Sequence, residues 1–497
     1  MLFNSFAFLV FFPTVFILYF SIPHKYRTLL LLVASCVFYM WLVPWYILIL
    51  FFLIGVDYAM GLLIDRQVDR RQRKRLLWVS IAATCSVLVV FKYYGFLNEL
   101  SSQFLSVFGL EYAAKGLGLA LPIGLSFHTF QSLSYVIEVY KGRQPAEKSL
   151  ATYAAYVLFF PQLVAGPIER PQNLIHQFKE EHRIDPQRIS SGLRLMLWGL
   201  FKKVVVADRL ALAVNLSFDD PAGRSGLALA LAAAFFAIQI YLDFSGYSDI
   251  ARGSARCLGF DLVVNFRRPF FATSIADFWR RWHISLTAWF KDYVYVPLGG
   301  NRGGTLRAHF NTIFTFFLSG LWHGAGIHFV VWGTLNGILI SLQRAYEGSG
   351  RAARLPASLA FKVPSLLKRL AVFAAISITL IFFRASSLSE AMLVLWRIPR
   401  RLGADVAGAL GEFFGGGSVS YWLFGSSDIG LGIIPILIVA VFAVEYVQEY
   451  PDAMLSRMVR FRFVTSRPFR WSVYYVLIFA ILFLGVYERA PFIYFQF

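Results

Sequence analysis

Residues 310–342 read FNTIFTFFLSGLWHGAGIHFVVWGTLNGILISL, an apolar stretch without a single Asp, Glu, Lys or Arg. As one helix it would extend about 50 Å at about 1.5 Å per residue, against a hydrocarbon core of about 30 Å. It is too long for one crossing. The run Gly320-Leu321-Trp322-His323-Gly324-Ala325-Gly326 is where it should break, because glycine frees the backbone. Non-helical backbone survives at membrane depth only inside protein or beside a water-filled cavity. The segment therefore predicts a helical membrane protein with a broken element, and it places a histidine at the break.

The rest of the chain agrees. Of its 497 residues 58% are hydrophobic, 18% aromatic and 15% charged, and the mean hydropathy is +0.61. Soluble domains carry about 25% charged residues, so composition alone predicts an all-α polytopic membrane protein. Collagen-like, disordered and disulfide-stapled classes are excluded. Apolar stretches recur near 2–22, 28–43, 45–64, 76–94, 116–139, 150–165, 226–246, 310–342, 370–383, 430–447 and 472–488. Several fall short of the roughly 20 residues that cross a bilayer, so some must tilt, pair or re-enter. The first run has neither a basic region before it nor a small-residue cleavage site after it, and is expected to be retained. Cys36, Cys85 and Cys257 lie far apart without CxxC spacing, so they read as small apolar filler. No second domain, repeat or low-complexity tail is visible, and residues 1–497 read as one integral-membrane domain.

Basic residues exceed acidic ones by 47 − 28 = 19. They lie between apolar runs, which points to topology, with Lys and Arg kept cytoplasmic, and to no nucleic-acid partner. Asp65–Arg75 (DRQVDRRQRKR) carries six basic residues and follows three crossings. The N-terminus should then be extracytoplasmic, with His24–Arg27, Arg344–Arg369 and Arg457–Arg470 inside. Residues 386–429, with the glycine-rich GEFFGGGSVS (411–420), read as a flexible external connection.

Two segments are too polar to span. Residues 192–215 mix Lys202, Lys203, Asp208 and Arg209 with Leu, Val and Trp198, as an interfacial amphipathic helix would. Residues 247–309 hold nine Arg/Lys and four Asp among many aromatics. Phe278, Trp279, Trp282, Leu286, Trp289 and Phe290 share one side of a single helix at 3.6-residue spacing. That helix should lie in the interface, with Arg280, Arg281 and Lys291 at head-group level.

Polar residues at membrane depth are functional candidates because an unpaired one is costly. His323 is the foremost, and the bland alternative is a buried histidine satisfied by a carbonyl. His283 sits in the aromatic interfacial helix, where packing alone would explain it. A metal site is not expected, since His323 and His328 are five apart and no carboxylate adjoins either. Asp243 and Asp249 are six apart, about 240° around a helix, so they form no paired-carboxylate site. They should pin Arg or backbone groups at a cavity mouth. Val296–Gly304 is glycine-rich but lacks a Walker Lys-Ser, which leaves an anion-holding turn as its possible use. No G-x-S-x-G elbow is present.

Taken together, FWRRWHISLTAWFKDYVYVPLGGNR (278–302) and LSGLWHGAGIHFVVWG (318–333) resemble the membrane-bound O-acyltransferase (MBOAT) family. Supporting segments are LPIGLSFHTFQSLSYVIEVYKG (121–142), FFPQLVAGPIER (159–170), YLDFSGYSDIARG (241–253) and FRRPFFATSIADFW (266–279). Within the family the likeness is to the branch that O-acetylates bacterial exopolysaccharides such as alginate. The resemblance implies a ring of about 11 transmembrane helices, with re-entrant and interfacial helices around a central tunnel. It implies that His323 is catalytic and that His283 is its partner across the tunnel, with Arg280, Arg281, Lys291, Arg302, Trp322 and Asp243 contacting substrate. It implies an acyl-CoA donor, acetyl-CoA above all, with no bound cofactor. It also implies residence in the bacterial inner membrane, and a periplasmic or membrane-anchored polysaccharide O-acetyltransferase as partner. D-alanyl transfer to teichoic acid is the neighbouring alternative. A polytopic transporter is the alternative from another class, although no inverted repeat is visible.

Overall fold

The computed structural model describes residues 1–41, 43–110, 122–348, 364–400, 402–417, 419–424, 429–451, 466–487 and 493, and every regular element among them is helical. Helices α1 (Phe6–Ser21), α2 (His24–Met40) and α3 (Tyr46–Arg66) precede the first basic loop. Most of that loop is helical, because Asp69 caps α4 (Arg70–Ser106) by accepting from the backbone N–H groups of Arg71 and Gln72. Then come α5 (Leu125–Tyr140), α6 (Leu150–Leu158), α7 (Pro171–Leu174) and α8 (Pro186–Leu200). A π-helical segment, Phe201–Ala207, leads into α9 (Asp208–Phe218), followed by α10 (Gly226–Cys257), α11 (Ile275–Arg281) and α12 (Ile284–Phe290). After α13 (Thr305–His323) and α14 (Ile327–Gly348) come α15 (Ser365–Arg384), α16 (Leu388–Arg400), α17 (Leu402–Phe414), α18 (Val419–Phe424), α19 (Ile429–Gly432), α20 (Ile434–Glu449) and α21 (Arg467–Leu484).

Among the described residues, α3, α4, α10, α15 and α21 are long and apolar enough to cross a membrane. The expected external connection at 386–429 is largely helical, as α16 to α18, and only a short turn remains of its glycine run. Much of the two distal basic loops, at 349–363 and 452–465, lies outside the described residues.

The chain divides into two compact units, Met1–Met196 with Tyr247–Val264, and Leu197–Gly246 with Asn265–Phe497. In the first, α3 packs on α4 and α5, and α2 packs on α6, around the buried rings of Tyr135, Tyr153, Tyr156, Phe159 and Phe160. Its buried acids are all hydrogen-bonded, as desolvation requires. Asp57 accepts from Ser80 Oγ at 2.5 Å and Thr84 Oγ1 at 3.1 Å. Glu169 accepts from the Val263 N–H and the Asn173 amide, both at 2.6 Å.

The second unit corrects two expectations. Residues 192–215 do not form an interfacial helix with its charges in water. Lys202, Lys203 and Asp208 are all buried, and Lys203 Nζ bridges Asp208 at 2.8 Å and Asp243 at 2.7 Å. The partner that makes this burial tolerable stands 40 residues further on, on α10. Nor is the aromatic stretch one helix. It divides into α11 and α12 at Trp282–His283, where His283 takes a left-handed backbone with φ 41°.

The break expected at 320–326 is present, as the turn between α13 and α14. These helices form a tight hairpin because glycines bring the backbones together. A Cβ on Gly333 would lie 2.3 Å from the Phe316 carbonyl oxygen, and one on Gly320 would lie 2.4 Å from that of Phe329. Helices in lipid gain little from apolar burial against one another, so such close approach is what holds them. Gly333→Ala should therefore lower the thermal stability of the detergent-solubilised protein, by about 1–3 kcal/mol for overpacking against backbone. Gly348→Ala, where nothing lies within 4 Å, should leave the melting temperature unchanged.

Candidate active site

His323 is the last residue of α13 and is 6% exposed. Its ring stands edge-to-face against Trp332 of α14 at 4.9 Å and Phe383 of α15 at 5.3 Å. His283 is 1% exposed, edge-to-face on Phe244 of α10 at 4.7 Å. Its left-handed conformation is unusual for a residue with a Cβ. Asn265 holds it there. The Ile284 N–H donates to the Asn265 carbonyl at 2.9 Å, while the Ser285 hydroxyl donates to Asn265 Oδ1 at 2.7 Å. Strain held in place by neighbours is a hallmark of sites where geometry matters more than local stability. His283 lies outside the crossing helices, and burial pushes its imidazole down to about 3, so it is neutral at working pH.

Both histidines line one cavity of about 220 Å³. One wall is a polar stripe on α13, formed by Thr312, Thr315, Ser319 and His323. Their spacing of three, four and four residues keeps them on one helix face. Trp279, Trp282, Leu286, Phe290 and Phe316 supply apolar surface, and Arg280, Lys291 and Arg344 supply positive charge. No carboxylate is among the described residues that line it. A second cavity of about 10 Å³ shares Trp279, Trp282 and His323 with the first and is bounded by Trp332, Asn336 and Phe383.

The other expected substrate contacts are placed differently. Arg281 donates to Glu449 at 2.7 Å and to Asp277 at 3.1 Å, a brace rather than a cavity wall. Arg302 and Trp322 are not among the lining residues, although Trp322 packs on the His323 ring at 4.8 Å. Asp243 is tied to Lys203 and accepts from the Ile493 N–H at 3.0 Å, away from the cavity lining. Arg344 escaped sequence reasoning because it sits in a basic run that reads as topology. It donates to the Tyr295 hydroxyl at 3.3 Å and to Asn301 Oδ1 at 3.4 Å. The hydroxyl stripe was legible from its spacing and was missed.

A sequence profile of the membrane-bound O-acyltransferase family matches residues 76–384, a range that contains both histidines and every cavity-lining residue named above. The chain belongs to the membrane-bound O-acyltransferase family. It is thus an O-acyltransferase of the membrane. The chain is 39% identical to the probable alginate O-acetylase AlgI of Pseudomonas aeruginosa over 80% of its own length and 74% of that protein. It is 34% identical to the peptidoglycan O-acetyltransferase of Helicobacter pylori over 80% of its length and 79% of that protein. Similarity to the teichoic acid D-alanyltransferase of Bacillus subtilis is lower, 25% identity over 45% of this chain and 59% of that one.

The brace beside this O-acyltransferase cavity has a testable pH dependence. Burial works against the charged form of Glu449, but hydrogen bonds from Arg281 and Arg268 outweigh it and hold the carboxyl below its usual range. A depressed carboxyl contributes stability above its unfolded pKa and loses it as pH falls through the folded one. Glu449→Gln should cost about 1 kcal/mol near neutral pH, a charged hydrogen bond discounted for partial exposure. The difference from the native protein should close on acidification, which melting curves from pH 7 downward will follow.

Proposed function

We propose that this acyltransferase takes an acetyl group from a cytoplasmic acyl thioester, acetyl-CoA, and delivers it across the bacterial inner membrane for O-acetylation of an exopolysaccharide of the alginate type. A periplasmic or membrane-anchored acetyltransferase is its proposed partner. The observation that carries the reading is that His283 and His323 line one cavity with Arg280, Lys291 and Arg344, and with no carboxylate among the described residues. Three cations suit a phosphorylated donor. A neutral imidazole suits a reaction that needs a proton taken and returned near pH 7.

On this reading the acceptor hydroxyl oxygen attacks the thioester carbonyl carbon while its proton passes to His323. The C–S bond then breaks, the new C–O ester remains, and the thiolate leaves with the proton that His323 held. The neutral His283 orients the acceptor hydroxyl. Acetyl is favoured over D-alanyl because the relatives matched over 80% of the chain are named for O-acetylation, whereas the D-alanyltransferases match 45%.

His323→Ala should reduce transfer of radiolabelled acetyl to polymer by at least about 10²–10⁴-fold, the worth of a general base. Its detergent-extraction profile should match the native one, since a lost buried hydrogen bond costs only about 1–3 kcal/mol. Near-native transfer would overturn the assignment. Lys291→Gln and Arg344→Gln should raise KM for acetyl-CoA with little change in kcat, as lost ground-state binding does. The native KM should rise with salt more steeply than that of either variant, because the Lys291 charge is exposed and screened. An unchanged KM in both variants would place the donor's phosphates elsewhere.

A further inference from the structure

Buried hydrogen-bond donors are paired almost without exception, so an unpaired one marks a place where another group completes it. Trp279 is 9% exposed, and its indole N–H finds no acceptor among the described residues. The ring is fixed. It stands edge-to-face against Phe316 at 5.0 Å, Phe278 at 5.6 Å and Trp332 at 5.9 Å. Trp279 and His323 both border the main cavity and the small one.

We propose, resting on the acyl-transfer reading above, that the indole N–H of Trp279 is the donor that stabilises the thioester carbonyl oxygen as it becomes an oxyanion. When the hydroxyl oxygen bonds to the carbonyl carbon, the C=O pair moves onto oxygen and the hydroxyl proton moves to His323. Collapse restores C=O, breaks C–S and returns the proton to the departing sulfur. Trp279 exchanges no proton in this sequence. It meets the charge with a fixed, neutral donor that has no acceptor function, and a donor already in place needs no reorganisation at the moment of reaction.

The rival use of the same N–H is structural. The small cavity, at about 10 Å³, is just large enough to admit one water. Its wall includes Asn336, whose Oδ1 has no hydrogen-bond donor among the described residues. A water bridging Trp279 to Asn336 would satisfy both groups and contribute to stability rather than to rate.

The test uses the full-length protein in membrane vesicles, with acetyl-CoA as donor and label in the polymer as readout. Trp279 is replaced by Phe and, separately, by 3-benzothienylalanine, which keeps the bicyclic shape and puts sulfur where the N–H was. The benzothienyl protein should lose about a hundred- to a thousandfold in kcat, the worth of one oxyanion donor, with KM for acetyl-CoA within about threefold of native. A kcat within about threefold of native overturns the proposal. So does a matched loss of melting temperature in the benzothienyl protein and in Asn336→Ala with kcat retained in both, which is the signature of the bridging water. If Trp279→Phe fails to fold, the benzothienyl protein decides. If the native protein moves no acetyl from acetyl-CoA or from acetyl-pantetheine, the acyl-transfer reading falls, and this proposal with it.

Discussion

The contact between the backbones of α13 and α14 fixes most of what surrounds the cavity. At Gly320, Gly333 and Gly337 the two helices approach so closely that a Cβ would meet main-chain atoms at less than 3 Å. That approach sets the rotation of α13, so Thr312, Thr315, Ser319 and His323 all turn to the cavity. It also brings Trp332 of α14 against the His323 ring. In water such a hairpin would be driven together by apolar burial. For helices packed in a membrane the interior of a pair is no more apolar than its surroundings, and close glycine contact of this kind is what supplies the attraction. Glycine at the crossing and a histidine at the hairpin turn are thus parts of one device.

A second constraint sorts the charges. Those with no access to water are committed to one another: Lys203 to Asp208 and Asp243, Asp57 to two hydroxyls, Tyr241 to Glu445 at 2.5 Å. Near the surface, Arg268 and Arg281 are committed to Glu449. What remains around the cavity is a set of cations with little carboxylate neutralisation among the described residues. Arg280 has one weak neighbour, Asp277 at 3.5 Å, with its own side chain 73% exposed. Lys291 makes no ion pair among the described residues, and Arg344 is held by a phenol and an amide. Committed charges hold the fold, whereas cations with few acidic partners leave the cavity positively charged, as the proposed phosphorylated donor would require.

The chain's helical and membrane character was readable because both follow from composition and from the spacing of apolar runs, which need no knowledge of tertiary contacts. The break at 320–326 was readable for the same reason, since one apolar segment exceeded the bilayer and three glycines cluster in that run. His283 was harder. Its aromatic neighbours fit one continuous helix, and no local signal announces that Asn265, eighteen residues earlier, will hold it in a left-handed conformation. The burial of Lys202 and Lys203 was misread because two of their acceptors, Ser245 and Asp243, lie on a distant helix. A charged stretch looks interfacial until its partner is known. Arg344 belongs to the same class, while the hydroxyl stripe did not need the fold at all.

The makeup of the cavity also bears on how its chemistry must run. In a site with paired carboxylates, one group takes the proton and another returns it. Here imidazole is the side chain suited to carry a proton, because the remaining polar lining among the described residues consists of hydroxyls, two indoles and Lys and Arg cations. One ring must then serve as base and afterwards as acid, which requires its charged form to be transient. A cavity built this way favours a reaction whose leaving group is a weak base, content to depart as an anion and to take the proton late. A thiolate meets that requirement and an alkoxide does not. The makeup of the wall thereby agrees with the thioester donor proposed above.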